Sequence, residues 1–459
     1  MYSLPVFESN DFNFERNFIS AYDYILLFPY LILFFLIGIY VRDKYFKNHP
    51  GKNYFIPALT FKLLGGIFIC LLYNYYYGGG DTTAYFNDAR LLNKVLFHHP
   101  PTAVKIFTSS PKELLQSIDV VFHNFRFLRA DSTSMVVRIA AFLQLFTFNS
   151  FLVTSAFFGF LSFFAMWYFY TAMCKSYPKL YKQFSYATLF VPSIIVWGSG
   201  IFKDTICLSL LVIIYAFMQN IIARKKANLL SVAIIALSVY LILIIKVYII
   251  LIFVFSFALF FIFGSIKSIK NKVLRFLLAP FLVLVGVFGF YVLVKTIGDS
   301  SKKERYSMDN ILDTAEITGH YLQYVSGKGN TSGYSLGEVE YTPVGILKKL
   351  PAGINVTLFR PYLWEVKKVI MLFSAVESFM LLIFTIYVIL KNGIFKVTQV
   401  ASNNILAISF LIYSLIFSFA IGITTFNFGS LVRYKIPILP FYILALIIIN
   451  YEATKPKRA

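Results

Sequence analysis

Acidic residues are scarce in this 459-residue chain: 21 Asp and Glu stand against 42 Lys and Arg, and charged residues of both signs make up only 14%. So small a charged fraction, with 58% hydrophobic residues and a mean hydropathy of +0.72, excludes an ordinary soluble protein, whose surface needs more polar cover. Cysteine is nearly absent. Cys70, Cys174 and Cys207 lie in or beside apolar runs with no ligand spacing, which excludes a disulfide framework or a cysteine zinc site and leaves buried packing residues. No basic region opens the chain; the first twenty residues are polar and acidic-aromatic ("FESNDFNFERNF"), so no cleavable signal peptide is expected. No internal repeat is visible, which counts against an inverted-repeat transporter.

What the chain has in quantity is long apolar runs, several near or above the ~18 residues that a membrane span requires. They predict an all-α, polytopic transmembrane helix bundle of about 11 spans, near 22–41, 54–76, 150–172, 184–198, 205–223, 229–245, 248–266, 274–295, 367–390, 405–423 and 434–451. The formal charge of +21 does not point to nucleic acid, because the basic residues sit in short links between apolar runs. "RDKYFKNHPGK", "KSYPKLYK", "ARKK", "KSIKNK", "KNGIFK" and the final "KPKRA" all fall on one side. The positive-inside rule makes that side cytoplasmic, with the N-terminus outside and the C-terminus inside. The whole chain, 1–459, then reads as one transmembrane domain with two long outer loops, 77–149 and 298–366.

Those loops contain helices. "SSPKELLQSIDVVFHNF" opens with Ser110 as N-cap, Pro111 at the first helical position and Glu113 completing a capping box. Its apolar residues follow helical spacing, as expected for a helix lying in the membrane interface. In the second loop Thr342-Pro343 starts another short helix, expected to stop at Pro351.

Charge occurs where charge is expensive. "YYYGGGDTTAYFND" follows directly on the second span; its three glycines permit a sharp turn that presents Asp81, with Asp88 further on. Asp81 as a base and Asp81 as the cap of a short helix are both consistent with this stretch. In "FVPSIIVWGSGIFKDTICLSLL" the apolar run 184–197 covers only about 21 Å at 1.5 Å per residue, so the hinge Gly198-Ser199-Gly200 falls inside the membrane, with Lys203 and Asp204 close behind. These two neutralise each other, or Asp204 caps the next helix, or they line a hydrated cavity where Lys203 meets an anion. "TLFRPYLWEVKK" offers Arg360 with Trp364 and Glu365, either as an interfacial anchor or as a guanidinium aimed at phosphate. Glu377, inside the ninth span, needs a partner or a proton and would serve as an internal tether. "FNFGSLVRYKIPILPFYIL" places Arg433 and Lys435 at an outer end, against the usual bias. With Arg138 and Lys246, the cations Lys203, Arg360 and Arg433 lie at one expected level, where they could surround an anionic lipid head group.

An acid soon after an early outward-going span, an outer loop with interfacial helices and the late "RYKIPILPF" resemble the C superfamily of membrane glycosyltransferases. "LFRPYLWE" and "SGIFKD" resemble segments of bacterial envelope-polysaccharide proteins of that kind, and "GGGDTTAYF" is similar to the "GTDT..Y" stretch of exopolysaccharide polymerases. The resemblance implies a sugar passed from a polyprenyl-phosphate-linked donor to a glycan or lipid acceptor at the outer face of a bacterial inner membrane. Asp81 is the position matching the superfamily's base or acceptor-positioning acid. Lys203, Arg360, Arg433, Arg138 and Lys246 would hold the phosphate, with Asp88, Tyr85, Asp204, Trp364, Glu365 and Lys435 in support and Tyr85 and Trp364 as rings for sugar stacking. The chain departs from the pattern in that its acidic loop follows the second span. No Asp-Asp, Glu-Asp or Asp-x-Asp pair stands at Asp81, so a divalent metal is not implied there and no cofactor is expected. A polymerase of lipid-linked repeat units would use the same residues. A transporter or flippase of an anionic lipid-linked glycan is the reading that the broken span favours. A docking subunit of an export assembly would need none of them.

Overall fold

The structure is a computed structural model that describes residues 18–111, 113–114, 125–224, 227–268, 316–317, 324, 332–337, 340 and 342–455. Among these residues it is all-helical, apart from one isolated bridge between Gly333 and Asn427. In chain order the helices are α1 (Ala21–Tyr45), α2 (Phe55–Leu71), α3 (Asp81–His98), α4 (Pro100–Thr108), α5 (Asp131–Phe146), α6 (Phe151–Ser176), α7 (Tyr181–Leu189), α8 (Pro192–Val196) and α9 (Lys203–Arg224). They continue with α10 (Leu229–Ile245), α11 (Val247–Ser268), α12 (Pro343–Lys348), α13 (Leu350–Phe359), α14 (Val369–Asn392), α15 (Ile394–Asn403), α16 (Ile405–Thr425), α17 (Phe428–Tyr434) and α18 (Leu439–Thr454).

Six of the described helices are long and apolar enough to cross a membrane: α1, α2 with its flanking turns, α6, α9, α14 and α16. The pair α17–α18, bent by 64°, makes a seventh if it counts as one span. The chain is therefore a multi-pass membrane protein. The expected span 184–198 is instead two short helices, α7 and α8, because Pro192 cannot donate the backbone hydrogen bond that a continuous helix would need there. The expected spans 229–245 and 248–266 correspond to the helices α10 and α11, neither of which is among the six. The expected span 274–295 lies outside the described residues, as do residues 115–124 of the expected interfacial helix. Its capping box is present: Ser110 N donates to Glu113 Oε2 at 3.0 Å and Glu113 N to Ser110 Oγ at 3.4 Å. A second expectation is also corrected. Pro351 does not stop the helix that Thr342 caps; that helix ends at Lys348, and Pro351 stands in the first turn of α13, where a missing N–H costs nothing.

The chain divides into two compact units. Unit 1 comprises residues 1–181 and 195–246. Its centre is the pair α2 and α6, whose backbones meet at glycines. A Cβ on Gly66 would come within 2.7 Å of the Ser155 carbonyl, and one on Gly159 within 2.6 Å of the Lys62 carbonyl. Ser155 Oγ donates to the Gly66 carbonyl at 2.8 Å, so the close approach also satisfies a hydroxyl. Gly65 admits the broken segment in the same way, since a Cβ there would meet the Ile195 carbonyl at 2.1 Å. Asp23 ties the start of α1 to the start of α6: its Oδ1 accepts from Ser150 Oγ and Phe151 N, both at 2.7 Å.

The break after α8 leaves carbonyls that a continuous helix would have used, and apolar surroundings offer no water to replace them. Lys62, 1% exposed in the middle of α2, meets this need by donating to the Gly198 carbonyl at 2.7 Å and to Ser162 Oγ at 3.0 Å. Ser162 Oγ donates to the same carbonyl at 2.8 Å, Ser199 Oγ to the Ile195 carbonyl at 2.5 Å and Thr205 Oγ1 to the Trp197 carbonyl at 3.2 Å.

Unit 2 comprises residues 182–194 and 247–459. Its core sets α16 against α13, α11 and α18. Gly353 of α13 and Gly422 of α16 touch backbone to backbone: a Cβ on Gly422 would come within 2.2 Å of the Gly353 carbonyl. Thr357 Oγ1 adds a bond to the Ser418 carbonyl at 2.7 Å. Around them Phe253, Phe410, Tyr413 and Phe441 pack edge to face, an arrangement that favours the ring quadrupoles.

Lys62→Met, which keeps the length of the side chain and removes its donors, should lower stability by about 2–4 kcal/mol, because a buried carbonyl loses a charged partner. Gly65→Ala should be at least as damaging, since the atom in the way is backbone. Thermal unfolding of the detergent-solubilised protein checks both.

Candidate functional site

The sequence-identified residues fall into two clusters, one in each unit. In unit 1 the chain leaves α2 through a π-helical turn, Leu72–Tyr76, and then Gly78, Gly79 and Gly80 at φ +65, +129 and +152. These values are strained for any residue with a Cβ, and at Gly80 a Cβ would also strike the Tyr73 ring at 2.5 Å. The expected sharp turn is there. Gly80 occupies the N-cap position of α3, with Thr83 Oγ1 accepting from Gly80 N at 2.9 Å. Asp81 is the first residue inside the helix, half-buried, where the helix dipole favours its negative charge. The cap is thus Gly80 with Thr83, not Asp81.

Lys203, the first residue of α9, is half-buried and donates to Ser132 Oγ at 2.9 Å. The charges of Lys246, Asp204 and Asp81 all act on it. Asp204, 3% exposed, forms an ion pair with Lys246, which is 9% exposed. The alternative in which Lys203 and Asp204 neutralise each other is corrected: successive residues at a helix start point apart, and Lys246, in the link between α10 and α11, reaches Asp204 instead. Arg138 on α5 is directed to the Ser109 carbonyl at 2.5 Å. Of the three unit 1 cations expected to meet a head group, Lys246 is therefore committed to a carboxylate and Arg138 to a carbonyl. Lys203 rests on a neutral hydroxyl.

The residues expected to support Asp81 have structural work. Asp88, 2% exposed, accepts from Phe127 N at 2.6 Å and Arg126 N at 3.2 Å, fixing the segment that leads into α5. Burial pushes its carboxyl up from the ordinary 3.8 to about 6, against the pull of those two donors. Tyr85, 4% exposed, has its ring against Phe127 at 4.6 Å, so it packs inside unit 1 and presents no open face to a sugar.

In unit 2 Arg360 forms an ion pair with Glu365, whose Oε2 also accepts from Tyr362 N at 2.8 Å. The guanidinium lies 5.5 Å from the Phe428 ring centre and 5.8 Å from that of Tyr362. Trp364 is 78% exposed and stacks on Tyr362 at 4.8 Å. Arg433 is half-buried, its guanidinium 6.0 Å from the Tyr434 ring. Lys435, 1% exposed, donates to Ser378 Oγ at 2.8 Å, and Ser378 Oγ donates to the Arg360 carbonyl at 3.2 Å. The two stretches "LFRPYLWE" and "RYKIP" thus meet through Ser378. Glu377 is the expected tether, its Oε2 accepting from Ser193 N at 2.7 Å.

Sequence reasoning missed Lys62, Ser132 and Ser162. The signal for Lys62 was present: a lone lysine within the apolar run "FIPALTFKLLGGIFICLLY", next to a glycine pair. Ser132 and Ser162 had none, because a serine in a helix is too common to stand out. Among the described residues no three His, Cys, Asp or Glu side chains are placed to hold a metal ion. No family model, curated protein or solved structure matches the chain.

Two outcomes follow from this geometry. The folded Asp88 value lies above the unfolded one, so its contribution to stability is fully present below pH 3.8 and is lost as pH rises through about 6. Asp88→Asn should flatten the fall in melting temperature across that interval. Lys246→Met should destabilise by about 3–5 kcal/mol, and adding Asp204→Asn should restore most of the loss, because the cost lies in the stranded charge. Unfolding of the two single variants and the double variant measures it.

Proposed function

We propose that the chain is a membrane glycosyltransferase that moves a sugar from a polyprenyl-phosphate-linked donor to an envelope glycan or lipid acceptor at the extracytoplasmic face of a bacterial inner membrane. The observation that carries this reading is the pairing of functions in unit 1: the Asp81 carboxylate and the Lys203 ammonium interact in one half-buried cluster, while Asp204 and Lys246 neutralise each other beside them. A base and a nearby cation are the two groups that transfer from a lipid phosphate requires. The reading includes the full topology of about 11 spans with the N-terminus outside, which the six basic links favour.

In this mechanism Asp81 takes the proton of an acceptor hydroxyl as its oxygen attacks the anomeric carbon. The bond from that carbon to the phosphate oxygen breaks, and the polyprenyl phosphate leaves with the electron pair. Lys203 neutralises the charge that grows on the phosphate, held in place by Ser132. Asp81 stands in the first turn of α3, at the end of the helix where a negative group interacts favourably with the dipole. The glycine turn before it places the carboxylate by backbone geometry and not by a long flexible side chain.

The experiment is product analysis of lipid-linked glycans from cells in which the gene is deleted and then complemented. Asp81→Asn should abolish complementation at normal protein level, and Lys203→Met should reduce product by about 10²-fold or more, the usual scale for removing a charge-stabilising group. A glycan missing one sugar supports the transferase. Accumulated single repeat units would assign the same residues to a polymerase. Movement of labelled lipid-glycan between leaflets by purified protein, with no bond made, would replace both readings with a flippase.

A further inference from the structure

On α14, Ser374, Glu377 and Ser378 stand at spacings of three and four residues and so share one face. Opposite them is Lys435, a cation with three N–H donors that, among the described residues, makes one side-chain hydrogen bond, to Ser378 Oγ at 2.8 Å. Glu377 is held at one oxygen by Ser193 N, at 2.7 Å, while its buried Oε1 has no hydrogen-bond partner among the described residues. Ser374 is 8% exposed, and its Oγ has none either. The Glu377 charge acts on Lys435, yet among the described residues the two do not form an ion pair. Each is fastened elsewhere, Lys435 by Ser378 and Glu377 by the Ser193 backbone, which keeps them from closing on one another.

Spare donors on a cation, a spare acceptor on a carboxylate and an unused hydroxyl, all inside an apolar bundle, call for one small partner. A metal ion would be repelled by Lys435 and an anion by Glu377. A neutral molecule that accepts from one and donates to the other suits both, and buried waters typically make about three such bonds. We propose that one ordered water bridges Lys435 Nζ and Glu377 Oε1, with Ser374 Oγ as its third partner. The bridge makes Lys435 and Glu377 a water-mediated charge pair. Through Ser378 it is continuous with the Arg360 carbonyl, and so with the loop that carries Glu365 and Trp364. It does not depend on the glycosyltransferase reading.

Melting of the full chain in lipid nanodiscs tests the proposal, together with a structure of the same sample at a resolution that reveals ordered water. Glu377→Gln and Lys435→Met should each lower the melting temperature by roughly 5 °C or more, and the double variant by less than the worse single one, since each single change strands a buried charge. Ser374→Ala should lower it by about 2 °C in the native background and leave it unchanged in the double variant, where the water has lost both charged partners. If Lys435→Met alone fails to accumulate, its recovery by Glu377→Gln is the supporting result, and failure of both forms to accumulate counts against the pair. Additive single effects overturn the proposal. So does density with Lys435 in direct contact with Glu377, or a Ser374→Ala effect that persists in the double variant.

Discussion

A backbone carbonyl that has lost its helical partner inside an apolar bundle must find another donor, and in unit 1 that carbonyl belongs to Gly198. Lys62 and Ser162 converge on it from α2 and α6. Much else in the unit follows from the reach of this lysine. Gly65 and Gly66 lie one turn further along α2, and they let the broken segment and α6 come close enough for a lysine in the middle of a helix to touch both. The segment beyond Gly198 then turns into α9 with Lys203 and Asp204 at its start. Had the span continued unbroken, those two residues would stand in helix interior with no reason to be charged.

Both units use the same two devices in different proportions. Glycine pairs bring helix backbones into contact, Gly66 and Gly159 in unit 1 and Gly353 and Gly422 in unit 2, and at each contact a hydroxyl closes onto a carbonyl of the facing helix. Charged side chains then fasten what glycine has brought near: Asp23 across two helix starts, Asp88 to the segment before α5, Glu377 to Ser193. Among the described residues, Asp23, Asp88 and Glu377 each accept from a backbone N–H group, a role for which a neutral amide is a poorer substitute. The Asp81–Lys203 relation, like the Arg360–Glu365 ion pair, is instead one between two half-buried side-chain charges.

The helices were legible wherever a run was long and its punctuation simple. The glycine turn at 78–80 and the Ser110–Glu113 box could be read directly, because positive φ and reciprocal capping have few alternative sequences. The break in 184–198 was half legible. Its length revealed that the run was too short, but the partner of Asp204 could not be found, since Lys246 is 42 residues away and only packing brings it there. Pro351 was misread because a proline marks a helix start as readily as a stop, and the choice depended on α13 having α16 to pack against. Tyr85 and Asp88 looked like site residues for want of any sequence sign that Phe127 and its N–H would cover them.

The three tryptophans report on different surroundings. Trp167 is fully buried among the rings of Phe55, Phe163 and Tyr170, Trp197 lies half-buried beside Phe202, and Trp364 stands out from unit 2 with one face against Tyr362. Indole emission shifts to longer wavelength as its surroundings become wetter, and soluble quenchers reach only what is exposed. The native chain therefore carries one highly exposed optical reporter, on the loop around Arg360 and Glu365, beside a buried and a half-buried tryptophan in unit 1. Rearrangement of that loop can be followed without attaching a dye.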